Sequence, residues 1–105
     1  MLELRSAQIE QFNTDGFLIL DRFLSAEEVA AARSRFERLF RGEFETGLYP
    51  DEWNWRAGRD PSDLTRQICN GWKSDRTIGR IVLKEEIGQL CATLAGWPGA
   101  RIGTS

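Results

Sequence analysis

The chain has 105 residues, 41% hydrophobic and 29% charged, the make-up of an ordinary soluble globular protein with room for one modest core. Its net charge of -2 offers no general affinity for nucleic acid, and no apolar run nears the roughly 20 residues that cross a bilayer. The start, Met1-Leu2-Glu3-Leu4-Arg5, lacks the basic end and apolar stretch of a signal peptide, so the expected compartment is cytoplasmic.

In chain order, Ser6 to Asn13 reads as a short helix, with Ser6 as N-cap and Ile9 and Phe12 on one face. Asp15-Gly16 should end it, because glycine accepts the positive φ of a helix stop. Phe17 to Leu20 is an apolar run of strand length, and its flanks favour a buried strand. Ser25 to Arg41 is the firmest helix. Ser25 and Glu28 have capping-box spacing, and Leu24 and Val29 fit the flanking staple positions. Val29, Ala32, Phe36, Leu39 and Phe40 fall on one face, while Arg33, Arg35, Glu37 and Arg38 fall mostly toward solvent. Gly42 is the expected stop.

From Gly42 to about Pro61 the periodicity is lost, and a loop of that length is often functional. Helical pattern returns at Ser74 to Leu83, with Ile78, Ile81 and Val82 apolar. A further helix, Glu85 to Ala95, places Ile87, Leu90, Cys91 and Leu94 on a stripe. Gly96 and Pro98 should terminate it. Arg101-Ile102-Gly103 has the character of a strand start.

Charge is unevenly spread. Residues 1 to 52 carry six basic and eleven acidic side chains, residues 53 to 84 seven basic and three acidic. The basic middle either faces an anionic ligand or, more simply, pairs with the acidic half before it. Cys69 and Cys91 are too far apart for a Cys-x-x-Cys metal pair and read as structural thiols, Cys91 in the core.

Most catalytic templates fail on inventory. The chain has no histidine, so Ser-His-Asp and Cys-His arrangements are excluded, and two distant cysteines cannot supply a common zinc site. Phosphate-loop and dinucleotide glycine patterns are missing. Glu27/Glu28 and Glu85/Glu86 open helices, where negative charge offsets the helix dipole. Asp51/Glu52 is the third acidic pair.

The most site-like cluster is Trp53-Asn54-Trp55-Arg56. Two indoles beside a guanidinium can stack on a planar ligand or bind an anion, or else pin the long loop to the core through hydrogen-bonded N–H groups. Asn70-Gly71-Trp72-Lys73 is a second turn bearing an aromatic and a cation. Arg66 or Lys73 is suited to a carboxylate or phosphate. Trp53, Trp55, Arg56, Trp72 and Lys73 are therefore the candidate site residues.

The order of these elements resembles a known family. Gln8-Ile9-Glu10-Gln11-Phe12, then Asp15-Gly16-Phe17-Leu18-Ile19-Leu20, then Phe23-Leu24-Ser25-Ala26-Glu27-Glu28-Val29, and finally Leu94 to Gly103, are similar to the N-terminal portion of phytanoyl-CoA dioxygenases. The likeness covers nearly the whole chain. It implies a mainly α fold with one or two short strands (α+β), forming a single partial domain over residues 1 to 105. That domain would be the helical N-terminal portion of a double-stranded β-helix (jelly-roll or cupin-like) enzyme, without the barrel.

Relatives of that kind use Fe(II) and 2-oxoglutarate, with iron held by a His-x-Asp pair and a later histidine. Those ligands, and the lysine and arginine that bind 2-oxoglutarate, match no residue here. The expectation is a chain that holds no cofactor and is not catalytic by itself. Its partner would be the C-terminal barrel, and the substrate of the full-length protein an acyl thioester or other small molecule. The Trp-rich loop would wall the substrate entrance, and the Phe36/Leu39/Phe40 and Ile87/Leu90/Leu94 faces would be left exposed for the barrel. The competing expectation is a stand-alone helical module that binds a protein or an anionic ligand. Neither reading involves nucleic acid or membrane.

Overall fold

Helices dominate because the two strongest local signals are a capping box and an apolar stripe, and both produce helices where expected. The computed structural model describes residues 3–103. The elements are α1 (Ser6–Asp15), α2 (Ala26–Phe40), β1 (Glu52–Trp53), β2 (Ile68–Cys69), a 3-10 turn (Gly71–Lys73), α3 (Arg76–Val82) and α4 (Glu85–Ala95). The two strands form an antiparallel ladder, so the fold is mixed α+β. No helix among the described residues is long and apolar enough to cross a membrane. The backbone divides into two compact units, one holding α1 and α4, the other spanning Leu24–Val82.

In the first unit α1 packs with α4. The N-cap of α1 is Arg5 rather than Ser6, because Gln8 lies three residues after Arg5 and its Oε1 accepts from the Arg5 N–H at 2.8 Å. Ser6 has no such acceptor three residues on, and it becomes the first helical residue. The helix runs to Asp15 and closes at Gly16, whose φ is 81° and whose N–H donates to Phe12 O at 2.8 Å.

The expected strand at Phe17 to Leu20 is not formed. Among the described residues they join no ladder and make no backbone hydrogen bond. Leu18 and Leu20 are half-buried, whereas Phe17 and Ile19 are 56% and 75% exposed. A strand is defined by a pairing partner, and none of the described segments supplies one.

Helix α4 has the expected limits. Its end is a Schellman closure: Gly96 takes φ 73°, and the Trp97 N–H reaches Ala92 O at 2.9 Å. Burial falls on two arcs, with Leu90 between half-buried Ile87 and Leu94, and Ala92 beside Gly88. Cys91 lies between the arcs and is exposed, not a core residue. The chain after the helix returns past Gly88, where a Cβ would sit 3.5 Å from Ala100 O. Arg101 to Gly103 form no strand.

In the second unit the capping box of α2 is present. The Glu28 N–H donates to Ser25 Oγ at 3.1 Å, and the Ser25 N–H donates to Glu28 Oε1 at 3.0 Å. At the other end Gly42, with φ 83°, closes a second Schellman motif through Gly42 N–H to Leu39 O and Glu43 N–H to Arg38 O. Only part of the expected apolar face is covered: Leu39 (0% exposed) and Phe40 are core, while Val29 and Phe36 are exposed. Leu39, Phe40 and, in α4, Leu90 are thus buried by this chain itself. They are not held open for a barrel.

Arg35 is not a solvent residue, because its Nε donates to Asp75 Oδ2 at 2.6 Å, and Asp75 is fully buried. Asp75 Oδ1 also accepts from the Thr77 and Ile78 N–H groups, at 2.9 and 3.1 Å. That acceptor fixes the start of α3 two residues later than Ser74. The residues ahead of it tighten into the 3-10 turn. The strands lie inside and beyond the segment that showed no periodicity, in the register Glu52↔Cys69 and Trp53↔Ile68. Two residues per strand are too few to leave a period in a sequence.

Candidate functional site

The Trp-rich segment is held between the end of α2 and the β1–β2 ladder. Register continues past the ladder, since the Asn54 N–H donates to Gln67 O at 2.9 Å, and it sets Arg66 opposite Trp55. Trp53 ends β1, and Trp55 lies two residues beyond it. Trp53 meets Phe44 edge-on, with ring centroids 5.2 Å apart, and Trp55 meets Phe40 edge-on at 5.9 Å. Phe44 in turn meets Tyr49 at 5.0 Å. The close approach of Trp53 to the helix end requires glycine at 42, where a Cβ would lie 2.7 Å from the indole Cη2.

Each indole carries a guanidinium. Arg56 Cζ lies 4.2 Å from the Trp53 ring centroid, and Arg66 Cζ lies 3.9 Å from that of Trp55. Arg66 also reaches Glu37 Oε1 at 3.4 Å. The Arg56 guanidinium makes no ion pair among the described residues. Buried Trp55 donates its indole N–H to Pro61 O at 2.8 Å, as a ring pinning a loop should. The Trp53 indole N–H is buried and makes no hydrogen bond.

Trp72 and Lys73 belong to a different network. Lys73 Nζ donates to Asp51 Oδ1 at 2.7 Å, Asn70 Nδ2 donates to Asp51 Oδ2 at 2.5 Å, and the Trp72 indole N–H donates to Asn70 Oδ1 at 3.2 Å. Asn70 is buried and takes φ 54°, a left-handed conformation that asparagine tolerates better than most residues. The Lys73 hydrogen bond, and then that of Asn70, hold the Asp51 carboxyl below its ordinary pKa. The five candidate residues therefore fall into two groups: Trp53, Trp55 and Arg56 with Arg66, and Trp72 and Lys73 with Asp51 and Asn70.

Part of the uneven charge along the chain resolves into internal pairing. Arg66 meets Glu37, Lys73 meets Asp51, and Arg76 meets Glu45, each joining the basic middle to the acidic part before it. Asp75 reverses the pattern by taking Arg35, whose pKa is raised chiefly by that hydrogen bond. Asp60 is held below its ordinary pKa by the Arg59 side chain and by the Arg56 backbone N–H.

Sequence reasoning singled out Arg66 without its partner. The signal that finds it is the cross-strand register, which needs the ladder. As for iron, the chain has no histidine, and among the described residues no group of three or more His, Cys, Asp or Glu side chains could hold a metal ion. This donor set does not fit a two-histidine, one-carboxylate centre. Comparisons with protein-family models, curated proteins and solved structures gave no match.

Proposed function

We propose that the chain is an N-terminal portion of a phytanoyl-CoA dioxygenase-like Fe(II)/2-oxoglutarate hydroxylase, contributing scaffold and no iron or 2-oxoglutarate ligand. The observation that carries this reading is Phe17 to Leu20. All four residues are apolar, two turn inward and two turn outward, and none of their backbone groups is hydrogen-bonded among the described residues. A run that is apolar on both sides is the pattern of a strand covered on both faces of a sheet. In the family the chain resembles, this segment is the first strand and packs with the catalytic barrel.

Substrate in that reading is an acyl thioester or other small molecule, and the Trp53–Arg56 segment borders its entrance. Iron and 2-oxoglutarate would be held by residues outside this chain. The test is the reading frame beyond codon 105. It should encode a His-x-Asp pair, a later histidine and a distal arginine, and the longer product should decarboxylate 2-oxoglutarate in the presence of Fe(II). A frame without those residues sinks the proposal. So does a stoichiometric micromolar iron site on the 105-residue chain itself, measured by calorimetry.

A further inference from the structure

We propose that Tyr49, Phe44, Trp53 and Arg56 form a docking row for a proline-rich peptide segment carrying an acidic residue. The proposal goes beyond the dioxygenase reading and does not depend on it. The four side chains are joined contact by contact. Tyr49 meets Phe44 with ring centroids 5.0 Å apart, Phe44 meets Trp53 at 5.2 Å, and Arg56 Cζ lies 4.2 Å from the Trp53 centroid. Tyr49 and its neighbour Leu48 are 73% and 58% exposed, whereas Phe44 and Trp53 are half-buried. Trp53 is also seated against Gly42, so the middle of the row is held before any partner arrives. A surface ordered in advance lowers the cost of binding.

The chemistry of the row selects the partner. Among the described residues Tyr49 and Trp53 each meet Phe44 and no other ring, so the rings follow one another singly. An amphipathic helix needs a groove that takes side chains three and four apart, and an added strand needs free backbone groups along an edge. Polyproline II is slim, extended and already ordered, and it docks on aromatic side chains. Arg56 ends the row with an exposed guanidinium that makes no ion pair among the described residues. One of its faces lies on the indole, which leaves the N–H donors at its rim open to a carboxylate. Charge complementarity therefore calls for an acidic residue beside the prolines. Arg66, the guanidinium on Trp55, is already answered by Glu37.

The test is isothermal titration calorimetry of the full chain with a short acetylated oligoproline peptide ending in aspartate. One peptide should bind per chain. The same peptide ending in asparagine should bind about tenfold more weakly, as loss of a hydrogen bond to a charged group predicts. Arg56→Gln should abolish that difference. Tyr49→Ala changes an exposed side chain that the fold does not need, and should weaken both peptides by about tenfold or more, the effect of truncating an aromatic anchor. Arg33→Gln, which removes an exposed α2 arginine, should change neither. The proposal is overturned by lack of saturable binding, by full binding in Tyr49→Ala, or by a preference for aspartate that survives Arg56→Gln. Equal or tighter binding of an amphipathic helical peptide with the same single aspartate overturns it as well, because apolarity and charge would then suffice.

Discussion

Replacing Gly42 with alanine tests whether the Trp53 ring is seated against the end of α2. Two costs are superimposed at this position. A φ of 83° is left-handed, which an L residue adopts at a cost of about 1–2 kcal/mol. The new methyl would also stand 2.7 Å from Cη2 and 3.3 Å from Cζ2 of Trp53, so the ring must move. Overpacking of that kind typically costs a further ~1–3 kcal/mol.

Gly47 isolates the first cost. It lies in the same unit with φ 80°, and a Cβ there meets nothing within 4 Å. Urea denaturation at neutral pH should therefore place Gly42→Ala about 1–3 kcal/mol below Gly47→Ala, the overpacking share alone. Trp53→Phe removes the clashing Cη2 and Cζ2 atoms, so in that background the two alanine variants should become equal. Equal stabilities in the parent background would refute the seating of Trp53 against residue 42.

Other substitutions probe separate contacts. Ser25→Ala removes the acceptor of the α2 capping box and should cost about 1 kcal/mol in thermal denaturation; an unchanged melt would mean the box carries no weight. Leu39→Ala empties a fully buried position and should cost ~2–5 kcal/mol in urea denaturation; a loss near zero would show that the core does not centre there. The Asp51 carboxyl is held below its ordinary value of 3.8, so its contribution is present above that value and lost as pH falls through the lower folded value. Asp51→Asn should thus melt lower than the parent at pH 7, and the two should converge in acid. Parallel melting temperatures down the whole acid range would rule out the Lys73–Asp51 contact as their source.

Legibility followed the range of each interaction. The α2 cap depends on residues three apart and the α4 limits on a glycine one residue past the last turn, so both were readable without any tertiary partner. Phe17 to Leu20 has strand chemistry, but pairing is a property of two segments, and no amount of local pattern reveals that a partner is missing. Arg35 looked solvent-facing by helical spacing because Asp75 lies forty residues away. Cys91 fitted an apolar stripe, yet α4 is covered on two arcs and the cysteine falls between them.

The site shows the same division. Trp53, Trp55 and Arg56 were legible as a cluster because they are near neighbours in sequence. The Trp55–Arg66 contact was not, since it depends on a ladder only two residues long. Nor did spacing separate Trp72 and Lys73 from that cluster. Their hydrogen bonds run to Asp51 and Asn70 instead.

The contact between Arg35 and Asp75 bears on how the second unit folds. Helix α3 has seven residues, well short of the ~12–15 at which isolated helices become even marginally stable in water. Its first turn is organised by a carboxylate whose charge is answered from the middle of α2. Burial of that carboxylate without the guanidinium is heavily disfavoured, so α3 has no independent pathway to its folded form. The two helices should open as one cooperative block, and native-state hydrogen exchange should give their amides a common free energy of opening. A short helix with poor intrinsic prospects thereby inherits the protection of a longer one.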